Sequence, residues 1–555
     1  MREKSGGIYI VTAICGIVRC SVGAESRCGT LPHTQMTADT PVSNVVLVTV
    51  DSLRADAIGA YDQERHTPVM DELAERGTVF ERAFANGNWT PFSFPSMLAS
   101  RPVFADSGEI GVENVPTLAR TLSDAGVATG GFNAANGFLT SHWGYDDGFD
   151  EFEPFVASVG SSIYSKYLAT HPTVEAWLQL AASPLRRIKS RLAGNVDDRP
   201  FLDTSRMFDV EHAATEFLED ASEPFFLWIH YMDTHTPYVP APRYIREVSS
   251  GLIGTHRMLH AHTRTGLGWE VGDRTLDDLR TLYQAAARQV DASVGRLLDE
   301  LSANGLDDET AVILAGDHGE EFQEHGHLAH YPKLYDELIH VPFIVDVPGA
   351  EGGRVDAQVG LDSIPPTVAG LLDVDSPDEW LGESLAATVL DGAEPTDEPV
   401  VSVTVRGEDV TAQPIPRSMA DGDLLVSVRD RDRTYIRNVD TDEEELYYRP
   451  DDPTQQRNRA TQQRNRAVDA DEEGEDGGTD GEIGGADGED DEADGKVGEA
   501  DGEDEQAFLD ESRSIVDAHA KLLREAGHEG TQNGDSDEGD VDEDLEARLS
   551  ALGYR

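Results

Sequence analysis

The sequence lacks cysteine over almost its whole length. Its three cysteines, Cys15, Cys20 and Cys28, all lie near the N-terminus, so disulfide bonds do not hold the main part of the chain together. Lysine is scarce as well, and arginine supplies most of the 44 basic residues. No basic patch is visible that would neutralise a phosphate backbone, so the sequence predicts no nucleic-acid partner.

Basic charge is also scarce relative to acidic charge. The chain has 106 acidic residues against 44 basic ones, which gives a formal net charge of −62. Such a surface is typical of proteins adapted to high salt, because dissolved ions screen the self-repulsion of the acidic groups. We predict a halophilic source, with a cation-binding role as the alternative interpretation.

Long apolar runs are absent, so no transmembrane anchor is expected. The nearest candidate, residues 7–18, follows Arg2 and Lys4 and is typical of a signal peptide, but it is too short for a comfortable membrane span. A second interpretation places the natural start at Met36. We expect a cytoplasmic protein if translation starts there, and an exported one if residues 1–24 are a signal peptide.

Apolar strands alternate with amphipathic helices up to about residue 390. Residues 44–50 form a continuous β-branched run, typical of a buried parallel strand. The alternation predicts an α/β sandwich. Further strands are predicted at 79–84, 128–132, 224–232, 311–315 and 341–347, and helices at 67–76, 115–125, 208–220, 276–304 and 362–372.

After residue 399 the pattern changes to short alternating runs. Runs at 400–405, 423–428 and 434–437 predict a small antiparallel sheet. Residues 469–505 are rich in Asp, Glu and Gly and have few apolar side chains, so we expect them to be disordered. An amphipathic pattern at 506–526 predicts a final helix.

Side chains with catalytic potential follow two of the predicted strands. Asp51 ends the first strand, in VVLVTVDS, and Asp317 and His318 end another, in VILAGDHGEE. Open α/β sheets bind ligands at the carboxyl ends of their strands. Carboxylates with one imidazole suit Ca²⁺, Mg²⁺ or Mn²⁺, and Zn²⁺ less well. We predict one divalent metal ion bound by Asp51, Asp317, His318 and a hydroxyl.

The stretch GNWTPFSFPSMLAS, residues 87–100, offers that hydroxyl. Thr90 and Ser93 stand at the start of a short helical pattern, where backbone N–H groups and the helix dipole would face an anion. A metal-bound hydroxyl is a nucleophile toward a tetrahedral sulfate or phosphate ester. Two alternatives remain open for the nucleophile, Thr90 and Ser93.

Other polar residues are candidates to bind the ester. Asn136 and Ser93 are predicted to contact the anion. His235, in DTHTPY, and His330, in HGHLAHYPK, are predicted to bind its peripheral oxygens or to protonate the leaving group. The competing histidines are His230, His325 and His327.

Taken in order, these motifs resemble the sulfatase family of the alkaline phosphatase superfamily. The resemblance covers residues 44–467 and is carried by VVLVTVDSLRAD, NWTPFSFPSMLAS, FFLWIHYMDTHTPY, VILAGDHGEEFQEHGHLAHYPKLYDE and ELYYRPDDPTQQRNRA. It implies an alkaline-phosphatase-like α/β sandwich with a mixed, mostly parallel central sheet and a small C-terminal antiparallel subdomain. It also implies metal-dependent hydrolysis of a sulfuric ester of a small molecule or glycan. By position, Asp51, Asp317 and His318 fall on metal ligands, and His235 and His330 on substrate-contacting positions.

The sequence departs from the family pattern at the nucleophile. Typical sulfatases have Cys or Ser there, in C/S-x-P-S-R, which is converted to formylglycine. Alignment on Thr90 gives T-P-F-S-F, and alignment on Ser93 gives S-F-P-S-M. We prefer Thr90 because its spacing also aligns MLAS with the closing segment of the family motif. Threonine cannot become formylglycine, so none is expected at Thr90.

The threonine also provides alternative functions. An unmodified threonine resembles the phosphodiesterases, phosphonate hydrolases and phosphoglycerol-type transferases of the same superfamily, whose substrates are phosphate or phosphonate esters. A further alternative is a non-catalytic member that binds sulfated or phosphorylated glycans.

These patterns divide the chain into six parts. Two polar stretches inside the second part, 155–205 and 240–270, are expected to shape the substrate pocket. The parts are an N-terminal extension or signal-like segment (1–40), a catalytic domain (41–390), a C-terminal subdomain (391–467), an acidic disordered insertion (468–505), a C-terminal helix (506–526) and an acidic tail (527–555).

Overall fold

The strand that ends at Asp51 lies at the centre of the main sheet. A computed structural model describes residues 42–155, 206–249, 270–406, 416–460 and 499–533, apart from 107, 113, 114, 135 and 331, and also residues 257, 260, 261 and 264. The predicted N-terminal segment, nearly all of the stretch 155–205 and most of the acidic insertion lie outside these residues.

The described residues form strands and helices in the predicted alternation. The strands are β1 (Asn44–Val50), β2 (Thr78–Phe84), β3 (Ala128–Asn133), β4 (Glu151–Glu153), β5 (Phe225–Tyr231), β6 (Thr310–Gly316), β7 (Glu321–Phe322), β8 (Leu328–Ala329), β9 (Phe343–Asp346), β10 (Gly353–Gly360), β11 (Val400–Arg406), β12 (Asp423–Arg429), β13 (Arg433–Asn438) and β14 (Glu444–Tyr448). The helices are α1 (Pro68–Arg76), α2 (Thr90–Ala99), α3 (Leu118–Asp124), α4 (Met207–Asp220), α5 (Pro242–Val248), α6 (Asp273–Ala303), α7 (Asp336–Ile339), α8 (Ile364–Leu371), α9 (Ala386–Asp391) and α10 (Glu499–Asn533).

Eight strands form the central sheet, in the order β10-β2-β9-β6-β1-β5-β3-β4. β1 pairs in parallel with both β5 and β6, whereas β9 runs antiparallel to β2 and β6. The predicted mixed, mostly parallel sheet is therefore confirmed.

The sheet is buried on both faces. Val46 and Val48 of β1 belong to the core beneath α1, α4 and α6. Val45 and Leu47, which point to the opposite side, belong to the core beneath α2, α3 and α8. This double burial explains why β1 is apolar throughout rather than alternating.

The C-terminal subdomain is a second, smaller sheet. Strands β11 to β13 pair consecutively and antiparallel, as predicted, and β14, which was not predicted, extends the sheet in the same way. Helix α10 packs against β12 and β13. Its apolar stripe, which includes Phe508, Leu509, Val516 and Leu523, is buried in the core that also contains the inner residues of this sheet.

Helix α10 is longer than predicted. The acidic insertion was expected to be disordered through residue 505, and the tail from 527, but the helix extends from Glu499 to Asn533. Propagation of an existing helix costs little per residue, and acidic residues favour its N-terminal end. A prediction from composition therefore makes this helix too short at both ends, because acidic segments that would not form a helix alone can extend one that is already formed.

Several other elements were missed, of which helix α5 and strand β10 are the clearest cases. Part of the stretch 240–270, predicted as a polar connection, is helix α5, which Pro242 opens and which buries Tyr244 and Ile245. Strand β10 was not predicted because it lies at the sheet edge, where most of its polar residues remain exposed. Within the described ranges, none of the helices combines the length and the apolar character that a bilayer span requires.

Candidate active site

Two buried carboxylates meet at the carboxyl ends of β1 and β6. Because these strands pair with Val50 opposite Gly316, the following residues Asp51 and Asp317 become neighbours. Both are fully buried. The N–H of Asp317 donates to the carbonyl of Val50 at 3.2 Å, which fixes the second loop against the first strand.

Ser52 ties the two carboxylates together. Its backbone N–H donates to Asp317 Oδ1 at 2.9 Å, and its hydroxyl donates to Asp51 Oδ1 at 2.8 Å. The φ angle of Ser52 is 57°, in the left-handed region that non-glycine residues rarely adopt. The turn is thus bent sharply so that one residue orients both carboxylates.

The hydroxyl of Thr90 lies against this pair. Thr90 is the first residue of α2, and its Oγ1 donates to Asp51 Oδ2 at 3.3 Å. The same oxygen lies 3.4 Å from His318 Nε2. The residues predicted to hold the metal and the nucleophile are therefore brought together in one buried cluster.

Ser93 lies one helical turn away and has a different contact. Its hydroxyl donates to the backbone carbonyl of Asp317 at 2.6 Å, so its proton is used to hold α2 against the loop after β6. Of the two candidate hydroxyls, Thr90 contacts the carboxylate of Asp51, whereas Ser93 contacts backbone.

The start of α2 offers a dipole rather than a set of free N–H groups. Pro91 has no N–H, and the N–H groups of Phe92 and Ser93 donate to the carbonyl of Trp89 at 2.8 and 2.9 Å. The N–H groups of Phe92 and Ser93 are therefore not available to bind an anion. Charge on the substrate has to be met by side chains and by a cation.

His318 presents its Nε2 to the cluster. Its Nδ1–H donates to the carbonyl of Gly319 at 2.9 Å, so the neutral ring has its lone pair on Nε2. That Nε2 lies 3.6 Å from Asp51 Oδ1 and 3.6 Å from Asp317 Oδ2. This is the tautomer that a metal ligand requires.

Asn136 also enters the cluster. Its Nδ2 donates to Asp51 Oδ2 at 3.2 Å and lies 3.5 Å from Thr90 Oγ1. Its Oδ1 accepts the N–H of Phe138 at 2.9 Å. The structure thus places this predicted anion contact beside Thr90, as a donor.

His235 and His330 form a pair beside His318. Their Nε2 atoms are 3.1 Å apart, and the ring centres of His330 and His318 are 4.9 Å apart. His235 Nδ1–H donates to the carbonyl of Thr236 at 2.6 Å. On the far side of His330, Glu320 Oε2 lies 2.7 Å from Nδ1, so a buried carboxylate that the sequence reasoning missed orients this ring.

The competing histidines have different surroundings. His325 pairs with Glu337 and stacks on Tyr335 with ring centres 3.6 Å apart. His230, by contrast, belongs to the cluster: it is the penultimate residue of β5, next to β1, and its Nε2 lies 3.7 Å from Asp51 Oδ2. The one signal in the sequence was its position near a strand end, which does not show which way the side chain points.

Burial raises the cost of charge on both carboxylates. The pKa of Asp317 is well above its usual value because the group is buried and faces the charge of Asp51. Burial also opposes ionisation of Asp51, but His235, His230 and His318 hold its pKa well below the ordinary value. The cluster therefore strongly favours a cation that would let both carboxylates be charged.

The imidazoles are neutral at neutral pH. Burial, with a contribution from His330, lowers the pKa of His318 to about 3. Burial lowers the pKa of His330 to about 4 and also lowers that of His235. Burial raises the pKa of Glu320 to about 7. Neutral imidazoles are the form that binds metal.

The described residues contain a group that can hold a metal ion. Ligand atoms of Asp51, His230 and Asp317 all lie within 4.8 Å of one another. Asp317 Oδ2 and His230 Nε2 are buried, and no described residue provides a hydrogen bond to either atom. Buried acceptors without partners are costly unless a cation satisfies them, so the residues present fit a divalent metal.

A family model described as Sulfatase matches residues 43–374, which is more than half of the chain. The chain belongs to the sulfatase family. The family resemblance of the sequence motifs is thereby confirmed, and with it the predicted alkaline-phosphatase-like fold.

Sequence relatives in this family come from bacteria and animals. An uncharacterised sulfatase of Escherichia coli (strain K12) is 24% identical over 371 residues, which cover 62% of this chain and 70% of that protein. Human iduronate 2-sulfatase is 26% identical over 369 residues, covering 59% and 63%. The ulvan-active sulfatase of Formosa agariphila is 23% identical, covering 62% and 65%. The matched stretch is therefore less than two thirds of the length of the last two relatives.

Solved structures agree on the fold. A 2-O glycosaminoglycan sulfatase has a TM-score of 0.54 at 19% identity, covering 78% of this chain and 90% of that one. A phosphonate monoester hydrolase of Agrobacterium radiobacter has a TM-score of 0.57 at 18% identity, covering 78% and 94%. At this identity the likeness establishes the α/β sandwich and leaves the substrate open.

Proposed function

We propose that this sulfatase-family protein is a metal-dependent hydrolase of sulfuric esters with Thr90 as its nucleophile. The observation that carries the proposal is the position of Thr90 Oγ1, 3.3 Å from Asp51 Oδ2 and 3.4 Å from His318 Nε2 at the start of a buried helix. Family membership supports ester hydrolysis as the reaction.

The metal would be held by Asp51, Asp317, His318 and Thr90. When bound, a divalent cation lowers the pKa of a coordinated hydroxyl and neutralises charge on an ester oxygen. Asp51 accepts the hydrogen bond of the Thr90 hydroxyl and so directs the lone pairs of that oxygen toward the incoming ester.

The chemical step is a transfer followed by a hydrolysis. The Thr90 oxygen loses its proton and bonds to the sulfur of the ester, the bond between sulfur and the alcohol oxygen breaks, and that oxygen takes up the one proton released and leaves as the alcohol. Water then bonds to the same sulfur and gives one proton to the Thr90 oxygen as its bond to sulfur breaks, so the threonine hydroxyl is restored, and sulfate leaves with the second proton of water released to solvent. Hydrated formylglycine has two hydroxyls on one carbon and can release sulfate by elimination. Threonine has a single hydroxyl, so this second step requires water.

His235 and His330 are proposed to bind the outer oxygens of the ester. They line the same side of the cluster as His318, and Glu320 and the carbonyl of Thr236 hold their rings in place. Their Nε2 atoms are 3.1 Å apart, so one of the two rings presents an N–H there. That N–H can donate a hydrogen bond to an outer oxygen of the ester.

A sulfated sugar is the proposed substrate. One structural neighbour was solved in complex with its substrate, D-glucosamine-2-N,6-O-disulfate, and relatives include the ulvan-active sulfatase and iduronate 2-sulfatase. A sugar substrate is consistent with a site that contacts only the ester group by charge and leaves the alcohol to surrounding loops.

Phosphoryl transfer is the second candidate function, and Thr90 is the observation that favours it. A threonine ester of phosphate can be hydrolysed by the same two displacements, with phosphorus in place of sulfur. Phosphodiesters, phosphonate esters and phosphoglycerol donors are then the substrate classes. The fold likeness to phosphonate monoester hydrolases is compatible with this candidate.

A substrate panel separates the two functions. The purified protein is assayed with matched aryl esters of sulfate, phosphate, a phosphodiester and a phosphonate, each with Ca²⁺, Mg²⁺, Mn²⁺ or Zn²⁺ after removal of bound metal. The proposal expects the highest kcat/KM with the sulfate. A preference for any phosphorus ester supports the second candidate. Tight binding of sulfated glycans without turnover of any ester would instead indicate a non-catalytic member.

A further inference from the structure

His230 is the one histidine of the cluster for which family resemblance predicts no role. It is fully buried, and its ring is held edge-on by Phe94 with centres 5.0 Å apart and an angle of 85° between the planes. Phe94 occupies the position of the motif arginine in the alignment on Thr90. An apolar ring therefore replaces a cation beside the site, and it packs against an imidazole.

Hydrogen bonds around Thr49 define the orientation of His230. The hydroxyl of Thr49 donates to the carbonyl of Ile229 at 3.2 Å and accepts the indole N–H of Trp228 at 3.0 Å. His230 Nδ1 lies 2.9 Å from the same oxygen. This contact turns the other ring nitrogen, Nε2, toward Asp51.

Two buried polar atoms of the cluster face each other. His230 Nε2 and Asp51 Oδ2 are 3.7 Å apart, both are buried, and no described side chain donates a hydrogen bond to His230 Nε2. This distance is too long for a hydrogen bond between them. It matches the separation of two ligands on one metal ion, since bonds of about 2.1 Å at right angles place ligand atoms about 3 Å apart and opposite ligands about 4.2 Å apart.

The other atoms of the cluster have the same spacing. Thr90 Oγ1 and His318 Nε2 lie between 3.3 and 3.6 Å from the nearest oxygen of Asp51, and the ligand atoms of Asp51, His230 and Asp317 fit within 4.8 Å. His230 and His318 contact different oxygens of Asp51, Oδ2 and Oδ1.

We propose that His230 is an additional ligand of the metal and that it selects a divalent transition metal, Mn²⁺ or Zn²⁺, over Ca²⁺ and Mg²⁺. Ca²⁺ and Mg²⁺ prefer ligand sets made of oxygen, whereas imidazole nitrogen favours the transition metals. Two imidazoles, two carboxylates and one hydroxyl form a mixed set of the second kind. The inference depends on the metal centre of the proposed function and is independent of which ester is cleaved.

The number of coordinated nitrogens tests this directly. Full-length protein is stripped with a chelator, loaded with Mn²⁺ alone and examined by pulsed electron paramagnetic resonance, with ¹⁵N-histidine labelling to identify imidazole. We expect two coupled imidazole nitrogens in the native protein and one in His230→Gln. One nitrogen in the native protein would overturn the proposal without the use of any variant.

Metal affinity provides the second measurement. By calorimetry, native protein should bind Mn²⁺ and Zn²⁺ at least 100-fold more tightly than Ca²⁺. His230→Gln should lose roughly 10- to 100-fold in Mn²⁺ affinity, as for other changes around metal sites, with Ca²⁺ affinity unchanged. If His230→Gln does not fold, His230→Asn keeps the hydrogen bond to Thr49 but is too short to reach the ion. Equal affinities in native and variant protein count against the proposal.

His340→Gln is the matched control. His340 is half-buried, its Nε2–H donates to the carbonyl of Glu81, and its ring packs on Phe84 outside the cluster. It should leave both the nitrogen count and the affinities unchanged. Two coordinated nitrogens without hydrolysis of any ester would refute the proposed function and support the metal role of His230. Hydrolysis of a sulfuric ester with only one coordinated nitrogen would support the proposed function and refute the metal role of His230.

Discussion

Thr90 lies at a position where chemistry and packing are tightly coupled. It is fully buried, it begins α2, and its hydroxyl contacts Asp51 and His318 within 3.4 Å. A hydroxyl in this position needs no enzymatic modification before it can react. The protein should therefore be active without any formylglycine-generating partner.

Removal of that hydroxyl tests its role. We expect Thr90→Ala to lower kcat at least 1000-fold, as is typical when a nucleophile is lost, and Thr90→Ser to keep a measurable part of the activity. Steady-state kinetics on the best substrate of the panel measures both. Mass spectrometry of rapidly quenched native protein should detect the ester on the peptide that contains Thr90.

Ser93→Ala is the control in the same helix. Ser93 donates to the carbonyl of Asp317, so its loss should cost about 1 kcal/mol of stability, the usual contribution of one hydrogen bond, and only modestly affect kcat. Full turnover in Thr90→Ala together with loss of turnover in Ser93→Ala would show that the nucleophile is Ser93.

Among the individual site residues, those that directly follow strands could be predicted from the sequence. Asp51, Asp317 and His318 could be placed because parallel strands bring their carboxyl ends to one edge. Glu320 and His230 could not, because their roles depend on which way each side chain points in the folded loop. Alternation along a strand does not reveal whether its last residue turns toward a neighbour.

Helix α1 depends on a residue from a distant helix. Its own N-cap, Thr67, makes no capping hydrogen bond to the first turn. Instead, Asp291 of α6 accepts the N–H groups of Val69 and Met70 at 2.9 and 2.8 Å. The same carboxylate is 3.0 Å from the guanidinium of Arg288. One buried side chain therefore caps α1 and fastens it to α6.

Asp291→Ala should destabilise the protein by about 1–3 kcal/mol, because two buried N–H groups lose their acceptor and the helix loses its cap. Urea denaturation followed by tryptophan fluorescence measures the change. Asp299→Ala, an exposed carboxylate on the same helix, is the control and should stay within about 0.5 kcal/mol. Equal effects of the two substitutions would contradict the capping role.

Helix α10 carries a histidine that resists protonation. Burial lowers the pKa of His519 to about 4, against 6.5 for an ordinary histidine. Below pH 6.5 the unfolded chain takes up a proton that the folded chain does not, so stability falls as the pH drops from 6.5 toward 4. The docking of α10 on the small sheet is therefore sensitive to acid.

His519→Leu should remove this sensitivity. The free energy of unfolding, measured in urea at constant salt, should fall less between about pH 7 and pH 5 in the variant than in the native protein. Comparison of the two slopes cancels the contribution of the many carboxylates, which titrate in both proteins. Parallel slopes would exclude His519 as the origin of the acid sensitivity.

Buried elements were easier to predict than edges. Strand β1 was placed to the residue because both of its faces are covered and its sequence is apolar throughout. Strand β10 and helix α5 were missed because edge and surface elements keep polar residues that are also typical of loops. The ends of α10 were misplaced because composition does not report where a nucleated helix stops.

The whole molecule carries a net charge of −62. Arginine side chains form ion pairs across its surface, among them Arg76 with Asp346 and Arg431 with Asp356. Such exposed pairs contribute little individually, and they cannot balance so large an excess of acid. Screening by dissolved salt is the remaining way to reduce the repulsion.

We expect the thermal midpoint to rise by several degrees when KCl is increased from about 0.1 M to about 1 M, where the screening length falls from about 10 Å to about 3 Å. Differential scanning fluorimetry at fixed pH measures it. A non-ionic osmolyte at equal osmolality is the control, because it does not screen charge. A midpoint that is unchanged by salt would contradict adaptation to high salt.

The strand order also determines when the protein can become active. Asp51, His230 and Asp317 lie on or directly after three strands that are adjacent in the sheet but widely separated along the chain. Pairing of distant segments is a slow step in folding, because a long loop must close before any contact is gained. A chain still emerging from the ribosome, or one trapped with its sheet half-assembled, therefore has no reactive centre. Completion of the sheet is the event that switches the chemistry on.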